Sequence, residues 1–387
     1  MKLIRGGKVF VNPDTVIDKG EVLVDDNGKI KDVGKGLKPK GDIEVVEFKE
    51  GWVFPGFIDA HCHVGMWEEG IGWEGSDGNE ATDPVTPHLK AIDGVNVRDE
   101  GFRDALKGGV TAVFTGPGSA NIIGGQSIVV HTGGSDIADE LVLKDPAGLK
   151  MALGENPKRV YSEQKKMPST RMGSGALLRE AFLKAKHYME KKKKAGDDFE
   201  KAPEPDLKME ALALVLEGKI PARAHAHRVD DIVTFVRVRD EFGFKLIIEH
   251  GTESHIIADF LAKKKVPVVV GPSLSARVKV ELKEITFDTP RILWEKGVPI
   301  AIMTDAPVIP INYLALCVGL SIKHGLPWKE GLKAITVNAA KFCGVERIVG
   351  TLDKRKWADI AVFDGDPFDI KSTCLMTMVR GKVLWKA

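Results

Sequence analysis

Four apolar runs in this chain end in side chains that bind metals, and no other feature constrains the fold as strongly. They are Val53-Phe54-Pro55-Gly56-Phe57-Ile58-Asp59-Ala60-His61-Cys62-His63, Ala224-His225-Ala226-His227, Ile247-Ile248-Glu249-His250-Gly251 and Ala301-Ile302-Met303-Thr304-Asp305. Residues i and i+2 of a β-strand face the same way, so His61 and His63 can meet one ion at a strand's C-terminal end. A bare His-x-His pair is common and most such pairs bind nothing. Four endings of this kind call for a fold that brings several strand ends to one place.

Short apolar runs alternate with longer helical patterns through the middle of the chain, which implies a parallel sheet. Eight strands are expected, at 53–61, 110–115, 127–131, 149–155, 222–227, 245–250, 266–270 and 298–304. Eight parallel strands make an α/β fold of the TIM (β/α)8 barrel type, whose C-terminal strand ends surround one open site. The third run fits least well, because little helix fits between it and the second. Both chain ends look different. Residues 1–51 read as short strands with tight turns, Asn27-Gly28 being a hairpin signal, and 352–387 has the same character. The expected organisation is a barrel over 52–351 and a small β-sandwich domain built from 1–51 plus 352–387. Residues 156–219 form a long insertion with a helix near 174–194, whose closing lysines, Lys191 to Lys194, read as a solvated helix end.

Composition narrows the function. The 387 residues are 43% apolar and 29% charged with a formal charge of +1, which gives no electrostatic reason to bind nucleic acid or an anionic membrane. Cys62, Cys317, Cys343 and Cys374 are scattered without Cys-x-x-Cys spacing, as for reduced thiols in a cytoplasm. The N-terminus turns polar early, and no apolar run approaches the ~18 residues of a membrane span. The expectation is a cytoplasmic protein acting on a small molecule, with homo-oligomerisation left open.

His61, His63, His225, His250 and Asp305 are the metal ligands this pattern suggests. Imidazole nitrogen and carboxylate oxygen suit zinc, and manganese or iron also fit. A divalent ion with an open position lowers the pKa of its water from ~15.7 to about 7 and supplies hydroxide at neutral pH. Asp305 can both ligate the ion and carry a proton from that water to a leaving group.

The chain resembles the amidohydrolase superfamily over essentially its whole length. The residues that carry the likeness are PGFIDAHCH at 55–63, AHAH at 224–227, IEHG at 248–251 and TDAP at 304–307. Ala334-Ile335-Thr336-Val337-Asn338-Ala339-Ala340-Lys341, Gly350-Thr351-Leu352 and Ala358-Asp359-Ile360-Ala361-Val362 add to it. The family's G-x-L-x-x-G-x-x-A-D pattern is interrupted once, by Arg355 in place of the second glycine, which affects a turn and not the chemistry. The branch it most resembles is imidazolonepropionase-related and includes prolidase-like dipeptidases.

That resemblance implies a set of roles. It favours His225 as the fifth-strand ligand and leaves His227 to line the substrate pocket. Members with two ions need an anion between them from the fourth strand. Glu155 at the strand's exit is the expected bridge; if the strand stops near Ala152, Lys150 takes that place in carboxylated form. Deaminases and imidazolonepropionases carry a glutamate three residues after the fifth-strand histidine, where this chain has Arg228. What remains is hydrolysis of an amide C–N bond, in a cyclic amide, an N-acyl amino acid or a dipeptide, with Asp305 as proton shuttle. The glycine-rich stretch 116–126 reads as a pocket wall, and Arg171 or Arg228 as a clamp on a substrate carboxylate. Two alternatives stand beside this one: a mononuclear deacetylase, and a catalytically silent binding protein on the same fold.

Overall fold

A computed structural model describes all 387 residues. The N-terminal segment forms β1 (Lys2–Asn12), β2 (Thr15–Asp18), β3 (Glu21–Val24), β4 (Ile30–Gly34) and β5 (Glu44–Pro55). The central part supplies β6 (Phe57–Cys62), β7 (Val110–Thr115), β8 (Ile123–His131), β9 (Val142–Ala152), β10 (Ala222–Ala226), β11 (Leu246–His250), β12 (Val268–Val270) and β13 (Ile300–Ile302). The C-terminus adds β14 (Ile360–Phe363), β15 (Cys374–Val379) and β16 (Lys382–Lys386).

Strands β6 to β13 lie side by side in sequence order as one eight-stranded sheet. Its two ends almost meet: His63 N–H donates to Ala306 O at 2.8 Å and Asp305 N–H to His61 O at 3.3 Å. The result is a nearly closed barrel. Its strands are buried along their whole lengths from β7 to β8 and from β10 to β13, as continuous apolar runs demand. Helices Val229–Phe242, Ala258–Lys264 and Thr289–Glu295 alternate with β10 to β13.

The regular (β/α)8 expectation needs correction at the third strand. β8 runs antiparallel to both β7 and β9. Only residues 116–122 separate β7 from β8, and a parallel crossover needs a dozen or more. The chain therefore turns back on itself instead of crossing over. The fourth strand also ends earlier than expected, at Ala152, and a helix begins at Glu155.

The chain ends form a second eight-stranded sheet in the order β16-β15-β14-β5-β1-β3-β4, with β2 on β1. The expected β-sandwich is thus one continuous hydrogen-bonded sheet. Its N- and C-terminal strands share a single core in which Ile4, Val22 and Val53 pack with Ile360, Met376 and Met378. The run 53–61 is split between the two sheets. Val53 to Pro55 pair with β14, while Phe57 onwards pairs with β7. Gly56 makes the step because a Cβ there would sit 2.1 Å from Thr111 Oγ1. The insertion contains helices Arg171–Ala195 and Leu207–Leu216, the first capped by Thr170 Oγ1 accepting from Gly173 N–H at 3.0 Å.

Candidate metal centre

The first group of donors comes from the seam of the barrel. His61 and His63 leave the end of β6, and Asp305 follows β13. Asp305 Oδ1 lies 3.3 Å from His61 Nε2 and 3.3 Å from His63 Nε2. His63 Nδ1 is 2.8 Å from Gly116 O. A carbonyl only accepts, so Nδ1 carries the proton and Nε2 presents a lone pair to the Asp305 carboxylate. Two facing acceptors at that distance call for a cation between them.

The second group is His225, His227 and His250, one ring nitrogen from each lying within 4.8 Å of the others. His250 donates through Nδ1 to Gly271 O at 3.0 Å, which again turns Nε2 inward. His227 Nδ1 lies 2.7 Å from Thr252 Oγ1. His225 is 3% exposed and neither of its nitrogens has a hydrogen-bond partner. An unsatisfied buried polar group costs about 1–3 kcal/mol. A divalent ion would satisfy it, and the nitrogen and carboxylate donors assembled here fit one. The two groups adjoin, with the His61 and His250 rings 5.5 Å apart.

Backbone conformation marks the same place. His250 and Asp305 adopt φ of +70° and +55°, a region that L-residues rarely enter and that clusters at functional sites. The next residue after His250 must be small as well, since a Cβ on Gly251 would meet Val268 at 2.8 Å.

Beneath the histidines lies a charged network buried inside the barrel. Glu249, which is fully buried, accepts from Lys150 Nζ at 2.6 Å and Arg223 Nε at 2.8 Å, and His61 Nδ1 is 3.1 Å away. Lys150 Nζ is also 3.3 Å from His61 Nε2. Asp59 spans the seam, accepting from Thr304 N–H at 3.1 Å and from His61 N–H at 3.1 Å. Glu249, Arg223 and Asp59 were not singled out from sequence. The available signal was a charged residue inside an apolar strand run, a placement that survives only with partners.

Electrostatics favour the cation-binding forms of His63, His225, His227, His250 and Asp305. Burial pushes the pKa of His63 down and those of His225 and His250 well down, and brings His227 to about 4. For Asp305 burial opposes ionisation, yet the imidazoles of His250, His61 and His63 around it outweigh burial and hold the carboxyl well below its usual range. Burial also opposes the charge on His61, but Glu249 prevails and raises its pKa. Asp59 is pushed up to about 6 by burial, against hydrogen bonds from Thr304. Burial raises the Cys62 thiol well above its ordinary value, in keeping with a core role.

Not every expected residue reaches the centre. Glu155 opens a helix beyond the end of β9, and its N–H donates to Glu281 Oε2 at 3.0 Å. It lines a separate surface pocket together with Arg171 and Arg228. Arg171 forks onto Asp231 at 3.0 and 3.1 Å, and Arg228 onto Asp230 at 3.0 Å. Lys150 is the fourth-strand residue that reaches His61. The cleft above the histidines, of about 280 Å³, is lined by His63, His225, His227, His250 and Asp305, with Gly118 and Ser119 from the glycine-rich wall.

With this fold and this donor set in view, the chain belongs to the Amidohydrolase family, whose model matches residues 52–384. It is similar to a solved structure of an amidohydrolase from Thermotoga maritima MSB8, at 48% identity and TM-score 0.96 over 100% of both chains. Amidohydrolase tasK of Hapsidospora irregularis is 29% identical over 350 residues, 84% of this chain and 36% of that one. The chain therefore spans about a third of the length of that curated relative. A solved prolidase complexed with n-methylphosphonate-l-proline shares the fold at TM-score 0.64 and 16% identity, over 100% of both chains.

Proposed function

We propose that this protein is a metal-dependent amidohydrolase that cleaves an amide C–N bond in a small substrate. The observation that carries the reading is the His63 Nε2 lone pair facing the Asp305 carboxylate at 3.3 Å, beside a buried His225 with no partner of its own. His61, His63 and Asp305 would hold one divalent ion, and His225 and His250, with His227 beside them, would hold a second. Such ions polarise a carbonyl and lower the pKa of water.

Lys150, in place of Glu155, is the fourth-strand residue that would supply an anion to the ions once carboxylated. Addition of carbon dioxide to its nitrogen, with release of the protons that nitrogen gives up, would leave a carbamate. The carbamate keeps one N–H, which can still donate to Glu249, and Arg223 offsets the added negative charge. The Asp305 carboxylate takes a proton from the attacking water as the C–O bond forms. It returns that proton to the amide nitrogen as the C–N bond breaks. His63 and His250 are oriented by the carbonyls of Gly116 and Gly271.

Metal analysis after reconstitution with zinc or manganese and bicarbonate tests the reading. About two ions per chain are expected, falling to about one in Lys150→Ala. Wild-type protein that gains no metal on reconstitution would end the proposal. One ion per chain in the wild type would instead favour a mononuclear deacetylase and remove the bridge.

A further inference from the structure

We infer that Lys279 gives this site its substrate class: amides whose nitrogen carries an α-carboxylate, which are N-acyl amino acids, dipeptides included. The inference rests on the amidohydrolase reading above and narrows it, setting aside neutral cyclic amides.

Lys279 is the one lysine or arginine among the residues lining the cleft. It stands on the long connection between β12 and the Thr289–Glu295 helix. Its ammonium donates to Asn156 Oδ1 at 3.1 Å and pairs with Glu281 Oε1 at 2.7 Å. Asn156 is itself fixed by donating to Ser119 Oγ at 2.8 Å. The ammonium has three donors; Asn156 Oδ1 takes one and Glu281 Oε1 is held by charge alone, so donors remain for a ligand. Glu281 does not line the cleft; it faces the neighbouring surface pocket and accepts the Glu155 N–H behind the loop. Lys279 thus presents its ammonium to the cleft, with Glu281 Oε1 tucked behind it, 3.7 Å from His227 Nε2.

The distance suits an α-carboxylate. Glu281 Oε1 is 2.7 Å from Lys279 Nζ and 3.7 Å from His227 Nε2, so the ammonium lies within the sum of those lengths from the histidine cluster. In an N-acyl amino acid only Cα and the amide nitrogen separate the carboxylate carbon from the scissile carbonyl carbon. A carboxylate on Lys279 would leave that carbonyl over the histidines. The candidates expected from sequence for this task, Arg171 and Arg228, open onto the other pocket. Trp67, Val278, Leu282, Ile285 and Val308 line the cleft as well, which favours apolar side chains on the substrate.

The test compares apolar N-acetyl-L-amino acids with their carboxamides on zinc-loaded wild-type, Lys279→Met and Lys279→Arg proteins. In the wild type the acids are expected to have the higher kcat/KM. Lys279→Met should lower it about ten- to hundredfold for the acids, mainly through KM, and leave the carboxamides nearly unchanged. Lys279→Arg should restore most of the loss. Equal rates on acids and carboxamides in the wild type, or an equal loss on both in Lys279→Met, would overturn the inference. Thermal stabilisation by N-methanesulfonyl-L-leucine against its carboxamide separates this claim from the reaction itself. Acid-selective stabilisation lost in Lys279→Met supports Lys279 as the carboxylate anchor even if no amide is hydrolysed. Absence of any acid-selective stabilisation in the wild type refutes it.

Discussion

Strands β6 and β8 both end in buried histidines, yet the two ends meet different neighbours. The end of β6 carries His61 and His63 to Asp305, with Oδ1 3.3 Å from each ring. The end of β8 carries His131, whose Nε2 lies 2.9 Å from Asp359 Oδ2, next to the chain-end sheet. The difference is strand direction. β8 is antiparallel to β7 and pairs His131 with Ala112, near the start of β7, so its C-terminal end lies at the opposite end of the barrel. A histidine at a strand end becomes a candidate ligand only when the strand runs with its neighbours.

The largest expected effect breaks the comparison on the β6 side. Asp305→Asn should lower kcat/KM for the amide found in the substrate screen by about 10²–10⁴-fold, since asparagine cannot accept the proton. Metal content and melting temperature should stay close to wild type, because one ligand oxygen and the side-chain volume remain. Wild-type activity in the variant would transfer the proton to another group, with His227 the nearest alternative. Loss of metal would show ligation by Asp305 and leave the base to be found.

His131→Asn probes the other strand end and should lower stability while leaving function intact. It breaks a fully buried pair with Asp359, whose other oxygen accepts only the Arg380 N–H at 2.9 Å. Removing one partner of such a pair costs about 2–3 kcal/mol or more. Denaturant midpoints should fall accordingly, while metal content and kcat/KM hold. If metal binding fell instead, the assignment of His131 to the far end of the barrel would be wrong.

The sequence made the apolar strands legible because each is buried along its length, and it made the strand-end ligands legible because they interrupt that pattern. Direction was harder to read. An apolar run looks the same whichever way it points, and only the short 116–122 connection betrayed the reversal of β8. The fourth-strand ligand depended on where β9 stops. Local pattern fixes such boundaries poorly, and the stop at Ala152 moves attention from Glu155 to Lys150. Glu249 and Arg223 were hidden for another reason: their partners come from different strands, so the network exists only in three dimensions. At the turn expected to tolerate the change from glycine, Arg355 takes φ of +75°, the conformation a glycine favours.

Arg228 marks the smallest expected effect and sharpens the same lesson, that position along the chain is not position in the site. It lies one residue beyond His227, where a glutamate shuttle or a carboxylate clamp would be sought. Its guanidinium instead forks onto Asp230, and the two side chains are 39% and 46% exposed. Surface pairs of this kind contribute about 0–1 kcal/mol. Arg228→Ala should therefore lower stability only slightly and leave kcat/KM on an N-acyl amino acid within about twofold, since the side chain lines the neighbouring pocket. The informative measurement pairs this variant with Lys279→Met on the same substrate. A large KM increase in Lys279→Met alone puts carboxylate recognition in the cleft. A comparable increase in Arg228→Ala would mean that the substrate reaches over the Lys279–Glu281 pair into the second pocket, with both cations sharing the carboxylate.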